Sequence, residues 1–105
     1  MNFTVQFSAA ANEDLQRIFD FLIQREMDSP TGDMAIPEKA RHAIHAGICL
    51  LQTSPFVCRK VGDSPFIREL IIAFGSTGYV ALFEIINDTT VIVGAIRHQR
   101  EDDYH

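Results

Sequence analysis

The residues best equipped for chemistry stand near the end of the chain, in the run AIRHQREDDY at residues 95–104. Arg97, His98 and Arg100 are followed there by Glu101, Asp102, Asp103 and Tyr104. Guanidinium groups grip carboxylates and phosphates, and an imidazole changes charge near neutral pH, so the run reads as catalytic equipment or as a docking surface. The bland alternative is a strand end kept soluble by its charges, with a solvated acidic tail behind it. A histidine beside Arg97 need not be a base, and on the residues alone these readings stay open.

Two further groups carry possible chemistry. If the second helix is regular, Glu38, His42, His45 and Cys49 fall along one stripe opposite its apolar stripe, at spacings that can present metal ligands. Histidines on a polar helix face more often look to solvent, so no metal and no cofactor are expected. Arg68 either touches a target or pairs with Glu84 across a sheet. Cys49 and Cys58, the two cysteines of the chain, are read as reduced core residues rather than a disulfide.

Composition bounds what these groups can serve. At 105 residues the chain is expected to be a single domain over residues 1–105, with one core. A net charge of −5 argues against generic nucleic-acid binding, which needs a clustered excess of Lys and Arg. The N-terminus lacks a basic segment followed by a long apolar one, and no apolar run approaches the roughly 20 residues that span a bilayer, so a cytoplasmic location is expected.

The elements that must position the chemistry follow from periodicity. FTVQF at 3–7 alternates apolar and polar residues and ends at Ser8, which predicts a short strand entering a helix N-cap. From Ser8 to about Met27, Leu15, Ile18, Phe19 and Leu22 recur at helical spacing, with Glu13 and Asp14 near the positive end of the dipole. DSPTGD at 28–33 predicts a loop, and Pro37 suits the first turn of a second helix. That helix is expected to run to Thr53, with Ala40, Ala43, Ile44, Gly47, Ile48 and Leu51 as its apolar stripe and Pro55 as its stop. The two helices form an αα-hairpin.

Both copies of SPF, at 54–56 and 64–66, predict strand entry after a proline break. Beyond them IRELIIAF (67–74), YVALFEII (79–86) and TVIVGAIRH (90–98) read as strands separated by GSTG and by a two-residue turn at Asn87-Asp88. The fold class is α+β: a small antiparallel sheet in the order β-α-α-β-β-β, packed on the helical hairpin, which covers one face and leaves the other available.

Strand parity then distributes the charges. With Asn87 and Asp88 as the turn, Glu84 lies opposite Val91, and Arg97 shares a face with Val91, Val93 and Ala95. His98 points the other way with Ile92 and Ile96, and Arg100 follows it if the strand continues. A four-residue GSTG loop sets Glu69 opposite Glu84, a five-residue loop starting at Phe74 sets Arg68 there, and a bulge at either glycine alters the parity.

In order and spacing, the opening strand before SAAANEDLQRIFDFL, the RELII followed by GYVALFEI, and the closing VIVGAIRHQREDDY together resemble the RelE/ParE superfamily of bacterial toxins across essentially the whole chain. The resemblance implies a cytoplasmic toxin of a type II toxin–antitoxin system. It also implies a cognate antitoxin that lays an amphipathic segment into an apolar groove between hairpin and sheet.

RelE-type members are ribosome-dependent mRNA endonucleases, and attack by a 2′-hydroxyl needs a general base, a cation beside the phosphorane and a proton donor. Those nucleases typically carry an arginine after the Gly-Tyr of the second meander strand, where this chain has Val80. Lys39 and Lys60 are its only lysines, neither near the end of the meander. Arg100 and Tyr104 do match the nucleases' arginine beyond the last strand and their terminal tyrosine, and His98 would join them in that role.

ParE-like members are associated with poisoning DNA gyrase and with plasmid stabilisation. Val80, the acidic balance and the RHQRE ending favour that branch. Inhibition by binding then needs no catalytic residue, no direct sequence-specific nucleic-acid contact and no membrane, and the implied partner-binding residues are Arg68, Arg97, His98, Arg100 and Tyr104. The alternatives are a RelE-type endoribonuclease acting on the ribosome and a degenerate toxin kept as an antitoxin-binding or regulatory partner.

Overall fold

Ser8 joins the first strand to the first helix in the computed structural model, which describes residues 2–99. Its hydroxyl oxygen accepts from the Ala11 N–H at 3.1 Å, the N-cap bond that its position after FTVQF predicts. β1 (Thr4–Phe7) precedes it and α1 (Ala9–Asp28) follows, burying Ala11, Ile18 and Leu22. The loop to α2 (Ala35–Cys49) is fastened by side chains: Glu26 accepts from the Asp33 N–H at 3.0 Å and Asp33 from the Ala35 N–H at 2.9 Å.

α2 buries Pro37, Ala40, Ile44 and Ile48. A Cβ on Gly47 would sit 2.9 Å from Cγ1 of Ile72, so the glycine lets the helix approach the sheet closely. The regular helix ends at Cys49 rather than Thr53, and the chain tightens into a 3-10 turn, Leu50–Gln52, because the backbone ahead of Pro55 must leave the helical region. Cys58 lies in the core and Cys49 is half-buried on α2, both as free thiols.

The strands are β2 (Arg59–Val61), β3 (Ser64–Phe74), β4 (Thr77–Asn87) and β5 (Thr90–His98). They join β1 in one five-stranded sheet of order β1-β5-β4-β3-β2. The meander is antiparallel as expected, but β1 pairs parallel to β5, so the sheet is mixed. A parallel neighbour needs a crossover, and the helical hairpin with the rest of the meander supplies it. The short β2 is an addition to the expected order, folding back on β3 around Gly62, whose φ is 70°. Only the second SPF enters a strand; the first forms a 3-10 turn, Pro55–Val57, with the Phe56 and Phe66 rings edge to face at 6.4 Å.

The turns differ from expectation by a residue or two, which resets the register. Phe74 pairs with Thr77, leaving Gly75 and Ser76 as the turn, with Gly75 at φ 62° as a tight primed hairpin turn requires. Asn87 pairs with Thr90, so the second turn is Asp88-Thr89 rather than Asn87-Asp88, and the Asn87 side chain accepts from the Thr89 N–H at 2.9 Å. Ile67 therefore faces Glu84, while Arg68 faces Phe83 and Glu69 faces Leu82, so neither expected loop length holds. A bulge at Ile86, between the pairs Asn87–Thr90 and Ile85–Val91, offsets part of the turn's shift, so that Glu84 faces Ile92 instead of Val91.

A bulge at Gly94, between the pairs Phe83–Val93 and Leu82–Ala95, reverses the parity of the end of β5. Val91, Val93 and Ile96 are all buried against the helices, and His98 continues their face. Arg97 thus does not share a face with Val91 and Val93. It stands with Ala95 and Ile92 on the opposite, outer face, and His98 is parted from Ile92.

Candidate functional site

His98 stands where the end of the sheet meets α1. Its Nε2 lies 3.0 Å from the Thr77 hydroxyl, and its ring meets the Tyr79 ring edge-on at 5.6 Å. Tyr79, stacked on Phe74 at 6.2 Å, is 3% exposed. Burial pushes its phenol above the usual value, and the positive charge of Arg25 pulls weakly the other way.

These side chains form one wall of a groove of about 480 Å³ whose other wall is α1. Ile18 and Leu22 line its apolar part, Phe21 overhangs it at 63% exposure, and Arg17 and Arg25 carry positive charge along it. The arginines are held locally, Arg17 to Asp14 at 3.3 Å and Arg25 to Glu26 at 2.8 Å, yet each side chain remains half exposed.

The groove keeps its shape because α1 is fastened to the edge of β5. β1 ends opposite Val93, and past that point Ser8 donates to the Gly94 carbonyl at 3.2 Å while Asp14 accepts from the Ile96 N–H at 2.9 Å. Asp14, expected only to complement the helix dipole, is thereby a cross-link between helix and sheet. An apolar trough with two guanidinium groups and an imidazole along it suits an amphipathic segment carrying acids.

The other sequence candidates are dispersed. Arg97 is exposed on the outer face, opposite Val80, which is 7% exposed. Arg97 and His98 therefore look to opposite sides of the sheet and cannot attend one phosphate together. Arg68 shares the helix-side face but stands at the far end of the sheet. There its Nε donates to the Pro65 carbonyl, and Nη1 donates to those of Phe56 and Cys58, each at 2.8 Å. Its guanidinium also lies 5.2 Å over the Phe56 ring. Of the two readings of Arg68, the cross-strand pair with Glu84 does not form, because the register sets Ile67 opposite Glu84. Arg100 and Tyr104, with Glu101, Asp102 and Asp103 between them, lie outside the described residues.

Glu38, His42, His45 and Cys49 rim a second groove, of about 600 Å³, between α2, α1 and β1. Cys49 Sγ lies 3.7 Å from His45 Nε2, but no three His, Cys, Asp or Glu side chains among the described residues are placed to hold a metal. His42 and His45 are exposed.

Sequence reasoning passed over Arg17, Phe21, Arg25 and Thr77. The signal for the first three was present: residues four apart on a helix that already showed its apolar stripe. Thr77 and Tyr79 meet His98 only through the register of β4 against β5, which no local pattern displays.

A family model described as ParE toxin of type II toxin-antitoxin system, parDE, matches residues 5–103. No curated protein matches the chain. A solved structure titled chromosomal ParDE TA system from P. aeruginosa is similar in fold, with a TM-score of 0.68 at 16% identity, over 91% of this chain and 95% of that one. Among the described residues, no helix is long and apolar enough to cross a membrane.

Proposed function

The chain belongs to the ParE toxin family of type II toxin–antitoxin systems, and from that premise we propose that it is a cytoplasmic toxin that poisons DNA gyrase by binding and is neutralised by a cognate antitoxin. The observation that carries the choice of binding over cleavage is the division of the β5 end. Arg97 and His98 face opposite sides of the sheet, and the position after Gly-Tyr holds Val80 rather than a cation. Cutting RNA needs base, cation and acid gathered around one phosphate, whereas stalling an enzyme needs only a complementary surface.

The antitoxin segment lies in the His98 groove, its apolar residues on Ile18, Phe21 and Leu22 and its acids beside Arg17 and Arg25. Arg97, exposed on the outer face, reaches the target together with Arg100 and Tyr104 beyond it. Arg68, its donors taken by backbone carbonyls at the far end of the sheet, fastens the fold there rather than touching the target.

The test is induction in cells without antitoxin, following thymidine and methionine incorporation in parallel. Early loss of DNA synthesis with protein synthesis maintained is expected. Early loss of protein synthesis would move the target to the ribosome, and unimpaired growth would make the chain a toxin without toxicity.

A further inference from the structure

Among the described residues, the outer face of the sheet is apolar at its centre and carries an acid and a base that form no salt bridge, Glu84 and Arg97. Both helices pack on the other face. On the outer one, Ile71 and Leu82 are 43% and 37% exposed, with Ile67 and Ile92 beside them. Glu69 on this face is neutralised by Arg59. Glu84 and Arg97 have no salt-bridge partner among the described residues. They cannot satisfy each other within the chain, because Glu84 is four residues along β4 from Val80, the partner of Arg97, a separation of about 13 Å.

Their placement has a symmetry. Glu84 lies two residues from Leu82 in one direction along the strands, and the Val80–Arg97 row lies two residues away in the other. A two-fold axis running across the strands through the Leu82–Ala95 row brings the Glu84 row of one copy over the Arg97 row of a second. Glu84 and Arg97 then lie one strand apart laterally, about 4.8 Å, within reach of an arginine side chain. Rotating instead about an axis parallel to β4 would set Glu84 against Glu84, which is repulsive.

We propose that the outer sheet face is a homodimer interface, in which Leu82 packs on Leu82 of the second copy and two symmetry-related Glu84–Arg97 ion pairs flank it. The face is isologous, so one surface supplies both halves of every contact. Self-association is independent of what the toxin poisons. Its regulatory meaning rests on the target reading above: a dimer withdraws Arg97, so the monomer is the form that engages the target.

Sedimentation equilibrium of the purified full chain over a range of concentrations tests this. A monomer–dimer equilibrium is expected, with Leu82→Glu monomeric and Glu84→Arg or Arg97→Glu each weakening association about tenfold or more. The double variant carrying Glu84→Arg and Arg97→Glu restores the ion pairs with charges exchanged, and should recover association to within a few-fold of the original. Far-UV circular dichroism confirms that the variants are folded, and the surface charge exchange remains informative if Leu82→Glu is not. A monomer at every concentration, or a double variant as weak as the sum of its single changes, would overturn the proposal. Failure of gyrase inhibition alone would leave the sedimentation result standing.

Discussion

Replacing Arg68 by alanine separates a structural arginine from a target-binding one. The guanidinium makes three bonds to main-chain oxygens, those of Pro65, Phe56 and Cys58, and stacks on the Phe56 ring. A hydrogen bond from a charged donor contributes about 1.5–3 kcal/mol when well sheltered. Two of these bonds are exposed and one is half-buried, so about 1 kcal/mol each is the appropriate scale. The cation–π contact adds about 0.5 kcal/mol at an exposed site. The sum, about 3.5 kcal/mol, is a large share of the stability of a domain this size and corresponds to a fall in Tm of at least 10 °C. Arg68→Lys keeps the charge but cannot spread its donors over three oxygens, and should lose about half as much. Thermal unfolding followed by circular dichroism measures all three proteins, with Lys39→Ala, an exposed cation on α2, as a control expected to change little. An Arg68→Ala protein of unchanged Tm that has lost toxicity would refute the structural assignment and return Arg68 to the target-binding set.

Three further outcomes are expected. Gly78→Ala drives a Cβ into the Ile72 carbonyl oxygen, and overpacking of this kind costs about 2 kcal/mol, read as a shift of the urea midpoint. Asp14→Ala leaves the Ile96 N–H without its acceptor and should cost about 2 kcal/mol, whereas Asp14→Asn keeps an acceptor and should cost less than half of that. Stability should fall as pH rises above about 9. Burial holds the Cys58 thiol and the Tyr79 phenol above their ordinary values, so the unfolded chain releases these protons first and is favoured as pH climbs towards the native values. Urea midpoints at pH 8 and pH 10.5 measure this, and Tyr79→Phe should flatten the fall.

Much of the fold was legible because its signals are local. The Ser8 cap, the apolar stripe from Ile18 to Leu22, the α2 stripe from Ala40 to Ile48 and the β-branched strands each announce themselves within a few residues. The parity of β5 was not, because one bulge at Gly94 exchanges the faces of Arg97 and His98 without altering the apolar content of the strand. β2 escaped notice because three residues, Arg59 to Val61, are too few to show a period. The parallel pairing of β1 with β5 joins segments more than eighty residues apart, and neither carries a mark of its partner. Of the candidate site, the charges at the end of β5 were visible, but the carbonyls that occupy Arg68 are main-chain groups, invisible to side-chain patterns.

The proposed toxin acts through a surface that grips rather than cuts. Purified full-length protein added to DNA gyrase with relaxed plasmid, and in parallel to ribosomes programmed with a defined mRNA, measures both possibilities in one experiment. Loss of supercoiling with the message left intact is the predicted result. Site-specific cleavage of the message, abolished by Arg100→Ala while gyrase works unhindered, would contradict it.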